Sequence, residues 1–532
     1  MTSRCPEWGA RFEPMSAFAI PRSTRGAALR RATAALLAAC GIGAQAAVFD
    51  DVAAQAQKLA LQPYRAEVVA AKVTPGSAAA SAAMTYDQFR DIRFRPDHAL
   101  WRDQHLPFEV MFFHPGFVHT ETVKIHEVDA QGPARPIDFD PAVFDYGHNP
   151  LPAPGTFTGY AGFRVHYAIN RPDLKDEVIV FLGASYFRAI GKDQRYGLSA
   201  RGLALDTVGG RNGEEFPRFT EFWLEKPAAG ATTLTVEALL DSPSATGAYR
   251  FVITPGAETT VDVQSRLYLR RGVSTFGLAP LTSMFLSGEN QPRPGDFRPE
   301  VHDSDGLSVE SGSGEWLWRP LANPSRVFTT SFALPSLKGF GLMQRDRSFA
   351  DYQDTEARYE LRPSAWVEPQ GDWGPGRLEL VELPTPDETN DNVVAYWVPA
   401  QAPAPGRALE FAWRIHWQGA HMQRPPGAWV TQTRVGRSYA KLSADERQLI
   451  VDFEGPALDA LPADADVQAV VTPVANAEVL QSTVYRNEAG RTWRLALRIR
   501  QRRDDQPIEL RAFLQHGHDI LSETWSHVIP PK

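Results

Sequence analysis

Apolar and polar residues alternate with a period of two along most of this chain. Phe163, Val165 and Tyr167 interleave with Arg164 and His166, and runs of this kind recur to about Trp397 with Gly, Pro, Asn and Asp between them. Alternation places one set of side chains on each face of a pleated strand, so the pattern predicts strands with one wet face. It is cleanest near the C-terminus. Leu409, Phe411, Trp413, Ile415 and Trp417 face one way against Glu410, Arg414 and His416, and Trp493, Leu495, Leu497 and Ile499 oppose Arg494, Arg498 and Arg500. One helix is predicted, over Phe49 to Leu61. Asp50 or Asp51 can cap its start, Val52, Ala56 and Leu59 share a face, and Pro63 stops it. Residues 74–83 (TPGSAAASAA) read as a loose connection, and Pro399 to Pro405 (PAQAPAP) has the composition of a linker. No repeat has the period of a solenoid or propeller.

The pattern therefore predicts an all-β protein. A chain of 532 residues exceeds one ordinary core, so two folded domains are expected. The proline-rich segment sets the boundaries at 1–46 for a leader, 47–400 for a large sandwich or sheet stack, and 401–532 for a small sandwich. Forty-two prolines agree with strands and turns better than with a helical bundle.

The amino terminus changes the picture. Arg22, Arg25, Arg30 and Arg31 precede an apolar run from Ala32 to Ala39, and small residues follow to Ala44-Gln45-Ala46. This is the form of a secretory signal cleaved after Ala46, and the run is too short to span a bilayer. Leu37-Ala38-Ala39-Cys40 also fits a lipoprotein box, so a lipid on Cys40 stays open as a second processing route. The Arg30-Arg31 pair leaves twin-arginine export open as well. Both cysteines, Cys5 and Cys40, lie in the leader, so cleavage after Ala46 leaves a mature chain without disulfides or thiolate metal sites. The leader carries six Arg and two Glu, and its removal takes the formal charge from −8 to −12. An acidic chain without a basic stripe excludes a nucleic-acid role and suits a neutral polymer as partner. No transmembrane segment is expected in the mature chain.

Several familiar chemistries are absent from the sequence: no phosphate-binding G-x-x-x-x-G-K-[ST] loop, no H-E-x-x-H helix and no G-x-S-x-G elbow. His516-Gly517-His518 lacks a third ligand. What remains is carboxylates. Asp387, Glu388 and Asp391 lie in PTPDETNDN (384–392), and Glu300, Asp303 and Asp305 lie beside His302 in RPEVHDSDG (298–306). Each reads as a solvated turn when taken alone. Their company points further, because Trp316, Trp318, Tyr352, Trp366, Trp373, Tyr396 and Trp397 crowd the same stretch with Arg345, Arg347 and Arg362. Two separated carboxyls and aromatic platforms are what glycosidic cleavage uses. Trp373 and Tyr352 are the candidate platforms; Arg345, Arg362 and His302 are the candidate polar contacts.

Longer segments resemble a known family. Gly183 to Gly191 (GASYFRAIG), Tyr196 to Thr207 (YGLSARGLALDT), Glu214 to Trp223 (EEFPRFTEFW), Leu240 to Tyr249 (LDSPSATGAY), Glu300 to Leu307 (EVHDSDGL), Gly314 to Leu321 (GEWLWRPL), Tyr359 to Val367 (YELRPSAWV) and Asp387 to Trp397 (DETNDNVVAYW) are similar to the glucans biosynthesis proteins G and D. The resemblance spans Phe49 to about Pro530. It implies a large β-sandwich of the galactose-mutarotase kind followed by an immunoglobulin-like sandwich, and a periplasmic location. It also implies an inverting endo-β-1,2-glucanase, with Asp391 as general acid, Asp303 as general base and no metal or organic cofactor. The implied partners are β-1,2-glucan and an inner-membrane glucan synthase. A non-catalytic glucan-binding scaffold is the rival reading.

Overall fold

The computed structural model describes residues 48–65, 84–129, 132–152, 156–210, 213–437 and 441–531. The expected leader, with both cysteines, and the Ala/Ser-rich connection over 74–83 lie outside them.

The expected all-β class is what is observed. A ten-stranded and a fifteen-stranded sheet carry most of the chain, and a four-stranded sheet stands near its C-terminus. The two large sheets enclose the main core, which draws Phe163, Val165 and Phe181 from one and Phe222, Phe251, Val263 and Trp413 from the other. The predicted helix forms over residues 48–60. Its apolar stripe of Phe49, Val52, Ala53 and Ala56 covers Leu239, Ala248 and Tyr268 on the outer face of the larger sheet. Where a strand is buried on both faces, alternation disappears. Phe276–Ser283, central in the ten-stranded sheet, is buried at every position.

The strand after the proline-rich segment, Ala408–Gln418, does not start the C-terminal sandwich. It pairs antiparallel with Thr259–Leu269 on one side and Ser364–Gln370 on the other, inside the fifteen-stranded sheet. A second core begins at Met422. It holds Val451, Phe453, Trp493, Leu495, Leu497 and Trp525, together with Trp318, Met343 and Trp366 from earlier in the chain. One face of this core is the four-stranded sheet of Trp429–Gly436, Glu446–Glu454, Ala477–Asn487 and Thr492–Gln501. The other is the end of the large sheet, because Thr524–Ile529 pairs in parallel with Trp316–Pro320. One sheet thus runs through both cores.

Arg345 stands at this joint. Its Nη1 donates to Val430 O at 2.7 Å and to Glu523 Oε1 at 2.6 Å, its Nη2 reaches Glu523 Oε2 at 3.1 Å, and its guanidinium lies 3.5 Å over the Trp318 ring. Both side chains are almost completely buried. Removing one partner of a buried pair leaves the other charge uncompensated, which costs about 3–5 kcal/mol. Arg345→Met is expected to lower unfolding free energy by that order in a denaturant titration.

Candidate active site

Asp303 follows a two-residue strand, Val301–His302, that pairs with Phe285–Ser287. Its N–H donates to Met284 O at 2.8 Å, and Ser283 Oγ bonds Ser304 Oγ at 2.9 Å, so the turn that carries Asp303 is pinned to residues 283–284. Gly306 ends the turn because the Trp318 ring crosses it; a Cβ there would meet the indole at 2.1 Å. The Asp303 carboxyl is buried and accepts a charge-assisted hydrogen bond from Arg362. Burial pushes its pKa up, the Asp391 carboxyl adds to this, and Arg362 and Arg188 oppose it. Arg362 lies 4.2 Å over the Tyr359 ring, and Gly197 leaves room for its stem, since a Cβ there would stand 2.9 Å from Arg362 Cβ.

Asp391 comes from the loop between the paired strands Gly376–Glu382 and Val393–Pro399. Within it, Thr389 N–H donates to Asp387 Oδ1 at 3.0 Å, an Asx turn, and Glu388 is held by Arg298 at 2.9 Å. Arg298 also gathers Asp296 and Asp354, which ties this loop to the segment around 354. The Asp391 side chain is open to water, yet surrounding protein still raises its pKa, against the lowering fields of Arg188, Arg201 and Arg362. Asp391 makes no hydrogen bond or ion pair among the described residues.

The two aspartates thus share one electrostatic neighbourhood with three arginines. Arg201 is committed to Glu214 at 2.7 Å and Thr282 Oγ1 at 2.8 Å, with its guanidinium over the Tyr186 and Phe216 rings at 4.7 and 5.3 Å. Arg362 is committed to Asp303. Arg188 is half-buried on the Tyr186–Ala189 strand, and its side chain makes no hydrogen bond or ion pair among the described residues. Residue alternation puts Tyr186 and Arg188 on one face, opposite the core residues Phe187 and Ala189.

His302 lies beneath this site, wholly buried. Gln344 Nε2 donates to two carbonyls, His302 O at 3.0 Å and Tyr359 O at 3.3 Å, which turns its Oε1 toward His302 Nδ1 at 2.9 Å. His302 Nε2 meets Glu300 Oε2 at 2.8 Å. Facing two acceptors, the ring is placed to donate from both nitrogens when it carries a positive charge. Burial works against that charge, but the Glu300 carboxylate overrides it and the pKa is raised. Glu300, His302 and Asp346 offer three ligand atoms within 4.8 Å of one another. With both His302 nitrogens already engaged, this is a buried hydrogen-bonded cluster more than an open metal site.

The candidate residues divide accordingly. Asp303, Asp391 and Arg362 converge, and His302 supports them from below. Tyr352 is fully buried, with its ring against His302 at 5.2 Å and its hydroxyl on Asp346 O at 3.0 Å; it underpins the turn and has no face free for a sugar. Trp373 sits in the main core against Phe411 and Trp413, its Nε1 on Ala412 O at 3.3 Å, so it too cannot act as a platform. Arg345 belongs to the joint. Tyr186, Arg188, Arg201 and Tyr359 were not singled out, although a Tyr and an Arg two apart on a strand is a readable signal of a shared polar face.

A family model described as "Periplasmic glucan biosynthesis protein, MdoG" matches residues 48–529. The chain is 54% identical over 511 residues to a glucans biosynthesis protein G of Ralstonia nicotianae (strain ATCC BAA-1114 / GMI1000), covering 94% of this chain and 100% of that one. It is 48% identical over 492 residues to glucans biosynthesis protein G of Pseudomonas paraeruginosa (strain DSM 24068 / PA7), covering 90% of this chain and 92% of the relative. The protein of that name from Pseudomonas aeruginosa (strain LESB58) matches at the same identity and coverage. No helix among the described residues is long and apolar enough to cross a membrane.

Proposed function

Because this chain belongs to the family of periplasmic glucan biosynthesis proteins, we propose that it is a periplasmic endo-β-1,2-glucanase that trims glucan with inversion at the anomeric carbon. The observation that carries this reading is the unequal treatment of two carboxyls with raised pKa. Asp303 accepts a hydrogen bond from Arg362, which favours its ionised form; Asp391 has no such partner. Burial and the Asp391 charge raise the Asp303 pKa, and Arg362 opposes them. In this reading Asp391, exposed to water, is the general acid for the departing glucosyl O2. Asp303, buried and held by Arg362, is the general base for the attacking water. Arg188, uncommitted and exerting its field on both, is available to glucan oxygens. Two carboxyls in unequal surroundings are the usual basis for such a division of labour.

Incubating the purified protein with linear β-1,2-glucan and resolving the products tests this. Short β-1,2-gluco-oligosaccharides are expected, and their absence at high enzyme would favour a non-catalytic glucan-binding scaffold. The stereochemistry is a further expectation. Water attacking opposite the leaving oxygen turns a β linkage into an α reducing end. Proton NMR taken before mutarotation should show the α-anomer first; initial β-anomer would refute the roles of both aspartates.

A further inference from the structure

The acid and the base come from distant parts of the chain, yet both loops are fastened to the same short stretch of backbone, Met284–Phe285. Asp303 N–H donates to Met284 O at 2.8 Å. The N–H of that same peptide group, on Phe285, donates to Asn392 Oδ1 at 2.8 Å, and Asn392 Nδ2 donates to Phe285 O in the following peptide group at 3.0 Å. The remaining Asn392 proton goes to Leu383 O at 2.9 Å, and Leu383 N–H returns to Asn392 O at 2.8 Å, closing the base of the Asp391 loop. Asn392 is buried, and the Phe285 ring stacks on His302 at 5.4 Å, which fixes this segment against the base turn from the other side. The Asp391 side chain itself makes no hydrogen bond or ion pair among the described residues.

We propose that Asn392 is a positioning residue for Asp391: its carboxamide clamps the acid-bearing loop to the Met284–Phe285 backbone that also holds Asp303, and this sets the separation of acid and base. The inference rests on the hydrolase reading above. Only an amide meets the demand in this form, because one donor face must satisfy two carbonyls while the oxygen accepts an N–H. A carboxylate would turn an anion toward Phe285 O and Leu383 O. Loss of the clamp frees Asp391 while Asp303 keeps its bonds to Met284 and Arg362, so the defect falls on leaving-group protonation alone.

The test compares wild type, Asn392→Ala and Asn392→Asp on linear β-1,2-glucan and on a β-1,2-gluco-oligosaccharide with a β-linked dinitrophenyl leaving group. That leaving group departs without a proton. Asn392→Ala is expected to lower kcat on glucan by about 10²-fold, the scale of a misplaced catalytic group, with KM little changed and only a few-fold loss on the activated substrate. Asn392→Asp preserves volume and covers the case in which the alanine variant does not fold. Its rate relative to wild type should rise as pH falls, because the protonated carboxyl can again donate to a carbonyl. Equal loss on both substrates would mark a merely structural role, and undiminished kcat on glucan would remove the role altogether; either result overturns the proposal. A wild type that cleaves neither substrate would overturn the hydrolase reading, and this one with it.

Discussion

Asp391→Asn is expected to lower kcat on β-1,2-glucan by about 10²–10⁴-fold, the usual worth of a general acid, with no loss of fold. An amide has the shape of the acid but no proton acidic enough for a departing sugar hydroxyl. Stability should be nearly unaffected for two reasons. Asp391 makes no hydrogen bond or ion pair among the described residues, and its position is open to water. Its raised pKa means that burial disfavours the ionised form, so an uncharged amide meets no penalty there. Thermal unfolding followed beside steady-state rates checks both halves. A variant that retains full activity would show that Asp391 is not the acid.

Asp303→Asn is expected to cost a similar 10²–10⁴-fold in rate while leaving Tm at neutral pH no lower than in wild type. The sign follows from the direction of the shift. The Asp303 pKa is raised in the folded state above its ordinary 3.8, so between those two values the folded protein binds more protons than the unfolded chain. Stability then falls as pH rises through that window and stays diminished above it. Below the ordinary value both states are protonated and the penalty vanishes. The asparagine variant escapes the penalty, so its Tm advantage should close as pH is lowered into the acid range. Arg362 loses an anionic partner, but its side chain retains some access to water. A clear drop in Tm at neutral pH would mean that the Arg362 contact outweighs the burial of the charge.

Strand content and the first helix were legible because they depend on local order. Alternation at Thr492–Gln501 is kept in the structure, with Trp493, Leu495, Leu497 and Ile499 all buried. What alternation does not carry is the identity of the neighbouring strand. Ala408–Gln418 follows a proline-rich segment, yet it lies in the middle of the large sheet because its partners come from earlier in the chain. The site divides in the same way. Spacing along the chain does not bring Asp303 near Asp391; the resemblance supplied that pairing, and the structure adds that the Asp391 charge raises the Asp303 pKa. Aromatic crowding misled at Trp373, because a ring that fits a sugar fits a sandwich core equally well. Arg188 and Tyr186 were passed over because a strand's polar face shows its function only when the loops opposite it are known. Asn392 stood beside the acid in a turn-rich motif, where asparagine is ordinary, and only the position of Phe285 reveals what it holds.

The parallel pairing of Thr524–Ile529 with Trp316–Pro320 bears on the order in which the molecule can be assembled. Thr524 Oγ1 reaches Glu315 Oε1 at 2.9 Å across 209 residues of chain. That side of Trp316–Pro320 therefore has no partner until residues 524–529 arrive, and closing it belongs to the slow, non-local class of folding events. In that interval the folding chain presents an open strand edge next to Trp318, the arrangement that invites pairing with other chains. Truncation after residue 520 would make the interval permanent. It would remove Glu523 and Trp525 with the strand, leave Arg345 without its carboxylate, and turn a late folding step into a standing site of aggregation.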